Sequence, residues 1–501
     1  MIDEALRATD SPTSALESGG LAQRAAFGGF FNLLSQIAAT GVSLATIVVL
    51  GRLLTPPDFG LVALSLATVG LFIRVRDAGL AAATFQRPVV SQEQVSALFW
   101  LSAAVSAGLG LLIVLSARPV AAFYRDTRLV AVTATLGLIP LLDGLGAQHE
   151  SLLKRRLRFR ALATSDLVSS AVGSALALVL AARGAGYWAL VALEIATSAS
   201  YTLLVWMTSG WRPGRPARAD GVSEMLRFGL QLSAFRVLAH LTASLDTIFV
   251  GRFSGSHQAG LYERALKLLT LPFQLVTRPL GGVAIPTLSR LQLHPEQYRR
   301  FYRSLVQVGF SLTTPALAFL FVEAERVIVL ALGPAWLPCA PLFRILAPAA
   351  LLGRFNLLTN WVFVSTGRAD RQLRWSAFAL VPMVVAYAVG ARWGAVGVAA
   401  AYTTATLALR VPSLYFCFQT APPRVRDVFD ALRLPASASL VAALVLAVAA
   451  PRIASIPGGD VGALAVHLVI FLASYSALWL SVREGREALR DLLALVRTAR
   501  P

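Results

Sequence analysis

Charged residues are scarce in this chain. Asp, Glu, Lys and Arg make up only 14% of the 501 residues, whereas 56% are hydrophobic. A soluble globular protein carries about 25% charged residues, so an ordinary soluble protein is excluded. Apolar runs of about 18 residues or more, long enough to cross a hydrocarbon core about 30 Å thick, recur along the whole sequence. The chain is therefore predicted to be an all-α polytopic membrane protein.

Cysteine and catalytic motifs are also nearly absent. Cys339 and Cys417 are the only cysteines, and their predicted positions near opposite membrane faces exclude a structural disulfide. The sequence has no Gly-rich phosphate loop followed by Lys and Ser or Thr, so ATP hydrolysis is not expected. His149 and Glu150 do not extend to a zinc-binding His-Glu-x-x-His, and no Cys/His cluster has ligand spacing. We therefore predict no cofactor, no metal and no enzymatic activity.

Fourteen transmembrane spans are predicted from the apolar runs, which places both termini on the same side of the membrane. They lie at about residues 28–50, 58–75, 94–116, 128–148, 161–182, 186–208, 228–250, 258–284, 303–322, 339–364, 375–391, 394–418, 434–450 and 461–482.

Basic residues are divided unequally between the two sets of loops, and this sets the predicted orientation. With the N-terminus in the cytoplasm, cytoplasmic segments hold 29 of the 45 Lys and Arg residues, and the opposite loops hold nine. Membrane topology and attraction to anionic lipids thus explain most of the net charge of +19, and nucleic acid is not expected as a partner. Both termini are predicted to be cytoplasmic.

Two short stretches, 200 residues apart, share one pattern. Gly51 to Leu61 reads GRLLTPPDFGL, and Gly251 to Leu261 reads GRFSGSHQAGL. Each is predicted to join the first two spans of a six-span unit on the outer side. The alternative is chance recurrence in Gly- and Arg-rich loops, but the matching span phase favours a parallel duplication with the substrate site between the halves.

The predicted domains follow from this duplication. They are a cytoplasmic tail at 1–27, an N-terminal lobe of six spans at 28–210, a basic cytoplasmic linker at 211–221, a C-terminal lobe of six spans at 222–420, two further spans at 421–482 and a tail at 483–501. The last tail has Leu489, Leu492, Leu493 and Val496 on one helix face and Arg on the other. This pattern is typical of an amphipathic helix on the inner membrane surface.

Ionisable residues at membrane depth are candidate functional residues, because an uncompensated charge there is costly. The C-terminal lobe has an excess of cations, whose natural partner is an anion. The predicted substrate-binding cations are Arg236, Arg354, Arg344, Arg410, Arg264, Lys267 and Arg278. Arg236 and Arg354 lie nearest the middle of their spans, with a neighbouring carboxylate as the alternative partner. Arg264, Lys267 and Arg278 could instead extend to a membrane interface.

Acidic residues at membrane depth are predicted either to couple transport to a cation or to pair with basic residues. They are Asp246, Glu263, Asp143 and Glu194. Asp246 lies near the outer end of its span, where it could pair with Arg252 or accept a transported cation. Glu263 and Lys267 are four residues apart on one helix face and are in position to pair.

Several longer segments resemble the Wzx-type flippases, the colanic-acid-type branch of the polysaccharide transporters in the multidrug/oligosaccharidyl-lipid/polysaccharide exporter superfamily. The segments include GRLLTPPDFGLVAL from residue 51, RDAGLAAATFQRP at 76–88, LLKRRLRFRALA at 152–163, SLDTIFVGRFSGSHQAGLYERALKLLTLPFQ at 244–274 and WLPCAPLFRIL at 336–346. Their order and spacing extend over nearly the whole chain. The family has no tight catalytic motif, so the candidate residues above come from charge and depth alone.

The resemblance implies both a fold and a function. It implies two six-helix lobes in a V shape around a central cavity, with two extra helices at the C-terminus. It also implies movement of undecaprenyl-pyrophosphate-linked oligosaccharide units across the bacterial cytoplasmic (inner) membrane, for exopolysaccharide or lipopolysaccharide synthesis. Expected partners are this substrate, membrane lipids, and the polymerase and glycosyltransferases of the same pathway.

Two other functions fit the sequence less well. A cation-coupled multidrug exporter of the same superfamily is the alternative, but such exporters favour acidic cavities and typically have twelve spans. A membrane polymerase or ligase would need a long outer loop, which the predicted topology lacks. Arg side chains fit a pyrophosphate better, since guanidinium groups bind phosphate oxygens in pairs and stay charged.

Overall fold

The computed structural model describes residues 35, 38–76, 90–215, 222–353, 355–452, 459–482 and 485–486. It describes the backbone only for residues 75–76, 222–237, 239, 278–279, 352–353, 355–357 and 452. Every regular element within these residues is helical. Among them, nine helices are long and apolar enough to cross a membrane, or up to 10 if a bent pair is counted as one span. The all-α polytopic fold is confirmed. Each of the fourteen predicted spans overlaps a helix, and their exact number stays a prediction.

The helices of the described residues are numbered in chain order. They are α1 (Ala38–Leu53), α2 (Pro56–Arg76), α3 (Gln92–Tyr124), α4 (Arg128–Leu136), α5 (Leu138–Arg155), α6 (Phe159–Ala182), α7 (Trp188–Ser209), α8 (Val222–Arg290), α9 (Pro295–Val322), α10 (Ala324–Leu332), α11 (Cys339–Gly353), α12 (Phe355–Ser365), α13 (Ala369–Gly390), α14 (Gly394–Phe418), α15 (Val425–Ala449) and α16 (Gly459–Ser481). Single 3₁₀ turns follow α10, α13 and α15.

The sequence explains where α1 ends and α2 begins. Pro56 is the first residue of α2, a position where its missing N–H leaves no hydrogen bond unmade. Asp58 in the first turn accepts hydrogen bonds from the backbone N–H and the hydroxyl of Thr55, at 2.9 and 2.6 Å. The first of these contacts satisfies a backbone N–H that the start of a helix leaves without a partner.

The long helix α8 is a helical hairpin. Gly255 interrupts it with φ 79°, in the left-handed region that glycine adopts without strain. The hydroxyl of Tyr262 donates to the carboxylate of Asp246 at 3.1 Å although 16 residues separate them. A straight helix would hold these residues about 24 Å apart. The chain therefore reverses at Gly255, where the sequence predicts the turn between the seventh and eighth spans.

The chain divides into two compact units. The first comprises Met1–Ile47, Val69–Ala117 and Val130–Val237, and the second comprises Val48–Thr68, Arg118–Leu129 and Leu238–Pro501. Within the first unit, α7 packs along both α6 and α5. Within the second, α9 packs along α15, and α14 packs against α11 and α13. The lobe boundaries expected from chain order stay a prediction.

Polar contacts join the two C-terminal helices to α9 at several depths. At the start of α9, Arg299 binds Asp427 of α15 through two hydrogen bonds of 2.6 and 2.7 Å. Further along, the hydroxyl of Ser439 in α15 donates to the hydroxyl of Thr314 at 3.1 Å. The hydroxyl of Tyr475 in α16 donates to a backbone carbonyl of α9 at 2.9 Å. These three helices are therefore held together by more than apolar packing.

We expect Asp427→Asn to lower the free energy of unfolding by about 2 kcal/mol, because removing one partner of a half-buried ion pair leaves the other uncompensated. The Asp427 side chain is only 4% exposed and that of Arg299 28%. The measurement is the thermal unfolding midpoint in detergent. Asp370→Asn is the matched control, since Asp370 and its partner Arg374 are both largely exposed. Equal midpoints for the two variants would contradict this expectation.

Candidate functional site

The two related stretches found in the sequence cross each other within the second unit. The contact joins α2 to the second arm of α8, residues 256–290, at Gly60 and Gly260. A Cβ added to Gly60 would lie 1.7 Å from the carbonyl oxygen of Ser256, and one added to Gly260 would lie 1.9 Å from that of Pro56. Cβ atoms essentially never approach other atoms closer than 3.0 Å. Only glycine allows the two backbones to lie this close.

This contact, called here the glycine crossing, is reciprocal. Pro56 and Ser256 hold the same position in the two stretches, as do Gly60 and Gly260. Gly60 of the first stretch therefore faces the carbonyl of Ser256 in the second. Gly260 of the second stretch faces the carbonyl of Pro56, the equivalent residue of the first. Such a self-complementary contact is characteristic of a two-fold relation. It supports the duplication predicted from the sequence.

Trp336 holds the first stretch on one side of the crossing. Its indole N–H donates to the carbonyl of Gly51 at 2.8 Å, and its ring lies edge-on to Phe59 with 5.2 Å between centroids. The guanidinium of Arg52 donates to the carbonyl of Leu330 in α10. The first stretch is thus tied to α10 and to the turn that follows it.

The second stretch is held by the turn between α3 and α4. Arg128 donates two hydrogen bonds to Asp126, at 3.0 and 2.8 Å, and these hold the pKa of the Asp126 carboxyl below its ordinary value. The side chain of Ser256 also hydrogen-bonds to Asp126. A Cβ added to Gly251 would lie 2.0 Å from a methyl of Leu64. The first stretch is therefore held by α10 and the turn after it, and the second by the turn between α3 and α4.

Arg264, one of the predicted cations, stacks on the first stretch. Its guanidinium lies over the ring of Phe59 at 4.2 Å, and its Nε is 2.9 Å from the carboxylate of Glu263. The side chain is 8% exposed, and among the described residues its Nη1 has no hydrogen-bond partner. Lys267, the partner of Glu263 expected from spacing, is exposed, and Glu263 pairs with Arg264 instead. A buried guanidinium with a donor to spare suits an anion.

Of the remaining predicted cations, the structure describes the side chains of Arg410 and Arg344. Arg410 is buried on α14, and Arg344 pairs with a carboxylate of α10 at 2.8 Å while remaining 40% exposed. Arg236 and Arg278 lie on α8 with side chains outside the described residues, and Arg354 lies wholly outside them. Which of these cations contact substrate stays a prediction.

Asp246 is nearly fully buried in the hairpin of α8. Its carboxylate accepts the backbone N–H of Thr247 at 2.6 Å and the hydroxyl of Tyr262 at 3.1 Å. Arg252, the partner considered from the sequence, lies over the ring of Phe123 at 5.6 Å. Asp246 therefore joins the two arms of the hairpin by a hydrogen bond.

The two acidic candidates of the N-terminal half lie in the first unit. Asp143 on α5 accepts a hydrogen bond from the hydroxyl of Ser198 on α7. Glu194 is half-buried on α7. The Asp143 contact links two helices that pack along each other, which is a structural role. A role of Asp143 in coupling stays a prediction.

Fold and contacts together define the class: a multi-pass helical membrane protein in which two related stretches of the chain, 200 residues apart, meet. The sequence profile of the family described as "Polysaccharide biosynthesis protein" matches residues 49–341. The chain belongs to that family, which confirms the resemblance found in the sequence.

Two curated relatives show the extent of the similarity. The teichuronic acid biosynthesis protein TuaB of Bacillus subtilis (strain 168) is 25% identical over 61% of this chain and 64% of its own length. The succinoglycan biosynthesis transport protein ExoT of Rhizobium meliloti (strain 1021) is 26% identical over 63% of this chain and 64% of its own length. The matched region thus spans less than two thirds of either relative.

A solved structure shows the same fold. The lipid II flippase MurJ, in an inward closed conformation, superimposes with a TM-score of 0.71 at 11% identity. The match covers 92% of this chain and 99% of MurJ. At this identity the likeness concerns the fold alone.

Proposed function

We propose that this chain is a flippase for undecaprenyl-pyrophosphate-linked oligosaccharide units. It moves them from the inner to the outer leaflet of the bacterial cytoplasmic membrane by alternating access, for synthesis of an exopolysaccharide or lipopolysaccharide. Membership of the polysaccharide biosynthesis family carries this proposal. The relative named as a succinoglycan transport protein and the fold shared with a lipid II flippase support it.

The cations of the C-terminal half suit this substrate physically. A pyrophosphate cannot enter hydrocarbon unaided, because removing water from its charges is prohibitive. Buried guanidinium groups such as those of Arg264 and Arg410 can replace that water. A membrane potential positive outside favours outward movement of an anion by about 2.3 kcal/mol per charge per 100 mV. The substrate therefore gains from the potential while the protein removes the barrier.

The remaining parts of the proposal concern orientation and partners. Both termini lie in the cytoplasm, as the distribution of basic residues predicts. The chain acts as a transporter rather than an enzyme, and it receives its substrate from glycosyltransferases and delivers it to a polymerase. Asp246 and Glu263 are the acids best placed to respond to a coupling cation. Glu263 lies in the second arm of α8, close to the glycine crossing in sequence, and Asp246 lies in the first arm, where it is hydrogen-bonded to Tyr262 of the second.

We expect deletion of the gene to stop polymer export and to leave lipid-linked repeat units on the inner leaflet. The measurement is mass spectrometry of extracted lipids, combined with the accessibility of the sugars to a lectin added outside spheroplasts. A strain lacking the polymerase is the control, since its repeat units should be accessible from outside. Repeat units that reach the outer leaflet at the normal rate without this chain would refute the proposal. Increased drug sensitivity with normal polymer output would indicate the multidrug exporter instead.

A further inference from the structure

Three ionisable side chains meet where α9 gives way to α10, away from the glycine crossing. Nη1 of Arg326 lies 3.1 Å from Oε2 of Glu323, and Nδ1 of His467 lies 2.9 Å from Oε1 of the same carboxylate. Nη1 of Arg326 is also 3.1 Å from Nδ1 of His467. Glu323 lies between α9 and α10, Arg326 lies in the first turn of α10, and His467 lies on α16. The cluster thus joins three helices.

The cluster is buried on one side and reaches the surface on the other. The side chain of His467 is 0% exposed and that of Glu323 4%, whereas that of Arg326 is 32% exposed. Among the described residues, Nε2 of His467 has no hydrogen-bond partner. A buried polar atom without a partner is costly and requires an explanation.

The two groups in contact with Nδ1 of His467 require opposite protonation states of that nitrogen. The Glu323 carboxylate can only accept, so it requires a proton on Nδ1, whereas the Arg326 guanidinium can only donate and requires a lone pair there. With the proton on Nδ1, the shorter contact with Glu323 is a hydrogen bond and Nε2 keeps its lone pair. A proton that binds at Nε2 then changes the cluster from neutral to a single positive charge. That added charge is attracted by Glu323 and repelled by Arg326.

Other ionisable groups of the packed helices are engaged elsewhere or exposed. Glu325 of α10 pairs with Arg344 at 2.8 Å, and the hydroxyl of Tyr475 on α16 donates to a carbonyl of α9. Asp460, at the start of α16, is exposed. The part of α15 after Arg433 has no ionisable residue in its sequence. Among the described side chains, the response to a proton is therefore set by Glu323, Arg326 and His467.

Helix α10 connects this cluster to the first of the related stretches. Arg326 lies in its first turn, while Leu330 and Leu332 lie in its last. The carbonyl of Leu330 accepts the Arg52 guanidinium, and a Cβ added to Gly51 would lie 2.6 Å from a methyl of Leu332. Only about 12 Å of helix separates the two ends. A shift of α10 at the cluster therefore displaces the groups that hold Gly51 and Arg52.

We propose that Glu323, Arg326 and His467 form a proton-binding site that sets the position of α10 and, through it, the hold on the Gly51–Leu61 stretch. Proton binding itself does not depend on the proposed function. Its effect on polymer export rests on that function. The two parts are tested separately.

Proton binding is tested on the full chain in lipid nanodiscs with isotope-labelled histidine. The chain has five His residues, and the signal absent from His467→Gln identifies His467. We expect this signal to respond to pH, and the response to change in Glu323→Gln. His257→Gln is the control, because His257 is exposed and should leave the His467 titration unchanged. If Glu323→Gln does not fold, Arg326→Gln tests the same contact.

Two results would overturn the site. One is a His467 signal that does not respond to pH, and the other is a titration that neither Glu323→Gln nor Arg326→Gln moves.

Coupling is tested by polymer output at different external pH. We expect the output of wild type to depend on pH, His467→Gln to remove that dependence and His257→Gln to keep it. A wild-type pH profile in His467→Gln overturns the coupling. A failure of wild type to support export at any pH would refute the proposed function, and the nanodisc titration would still decide the proton-binding site.

Discussion

Gly260→Ala and Gly60→Ala are each expected to abolish polymer export. The new methyl group of either variant would lie less than 2 Å from a backbone carbonyl oxygen, at 1.9 Å for Gly260 and 1.7 Å for Gly60. A backbone atom cannot rotate away as a flexible side chain does, so α2 and the second arm of α8 have to separate. We expect a cost of about 3 kcal/mol or more to the crossed arrangement, which corresponds to about a hundredfold change in its population.

The experiment compares membrane levels and polymer output for each variant. Gly282→Ala is the matched control, because Gly282 lies in the same arm of α8 and a Cβ there meets nothing within 4 Å. Alanine is also the better helix former, so this control should be neutral or slightly stabilising. Normal export by Gly260→Ala at a normal membrane level would show that the glycine crossing is not needed for transport.

The double substitution Arg236→Ala with Arg354→Ala is expected to lower polymer export at least about a hundredfold while leaving membrane insertion intact. Each guanidinium is predicted to donate charge-assisted hydrogen bonds to the pyrophosphate, and such bonds contribute about 1.5–3 kcal/mol each. Losing both raises the barrier for the anion by several times RT. Replacement by Lys should restore part of the output, because charge returns without the paired geometry.

A matched control separates this effect from a general loss of charge. Arg183 and Arg392 lie in exposed turns between helices, so Arg183→Ala with Arg392→Ala removes the same net charge away from the spans. Output should stay near the wild-type level in that variant. Equal output from the two double variants would remove Arg236 and Arg354 from the list of substrate ligands.

The helices themselves were predictable from the sequence. A helix satisfies all its backbone hydrogen bonds within one segment, so in hydrocarbon a long apolar run has few alternatives to it. The turn at Gly255 was predictable for a similar reason, since the apolar run is interrupted there by SGSHQAG. The ends of α3 and α9 were less so, because both helices extend beyond their apolar segments, α3 as far as Tyr124 and α9 back to Pro295.

Contacts between distant residues could not be derived in this way. The sequence predicts two separate outer loops for the related stretches, and nothing local in GRLLTPPDFGL indicates that Gly60 touches the other copy. Spacing favoured a pair between Glu263 and Lys267, but adjacent Arg264 lies in the buried position beside Phe59. Phe59, on another helix, stacks on Arg264, and the residue that pairs with Glu263 is therefore Arg264 rather than Lys267.

The cluster around His467 was also missed, although a signal was present. His467 interrupts the apolar segment 461–482, where ionisable residues are rare and are by default candidates for a function. Its partner Glu323 lies 144 residues away in the chain. Without the fold, a lone histidine has no identifiable function.

The glycine crossing has a consequence for how sequences of this family can vary. At each glycine the limiting atom belongs to the backbone of the other stretch, so no side-chain exchange at Pro56 or Ser256 makes room for a larger residue. Contacting positions usually reveal themselves by compensating changes, one shrinking as the other grows. Here neither position has a compensating partner. We expect Gly60 and Gly260 to be invariant but statistically independent, a close contact that correlated substitution cannot detect.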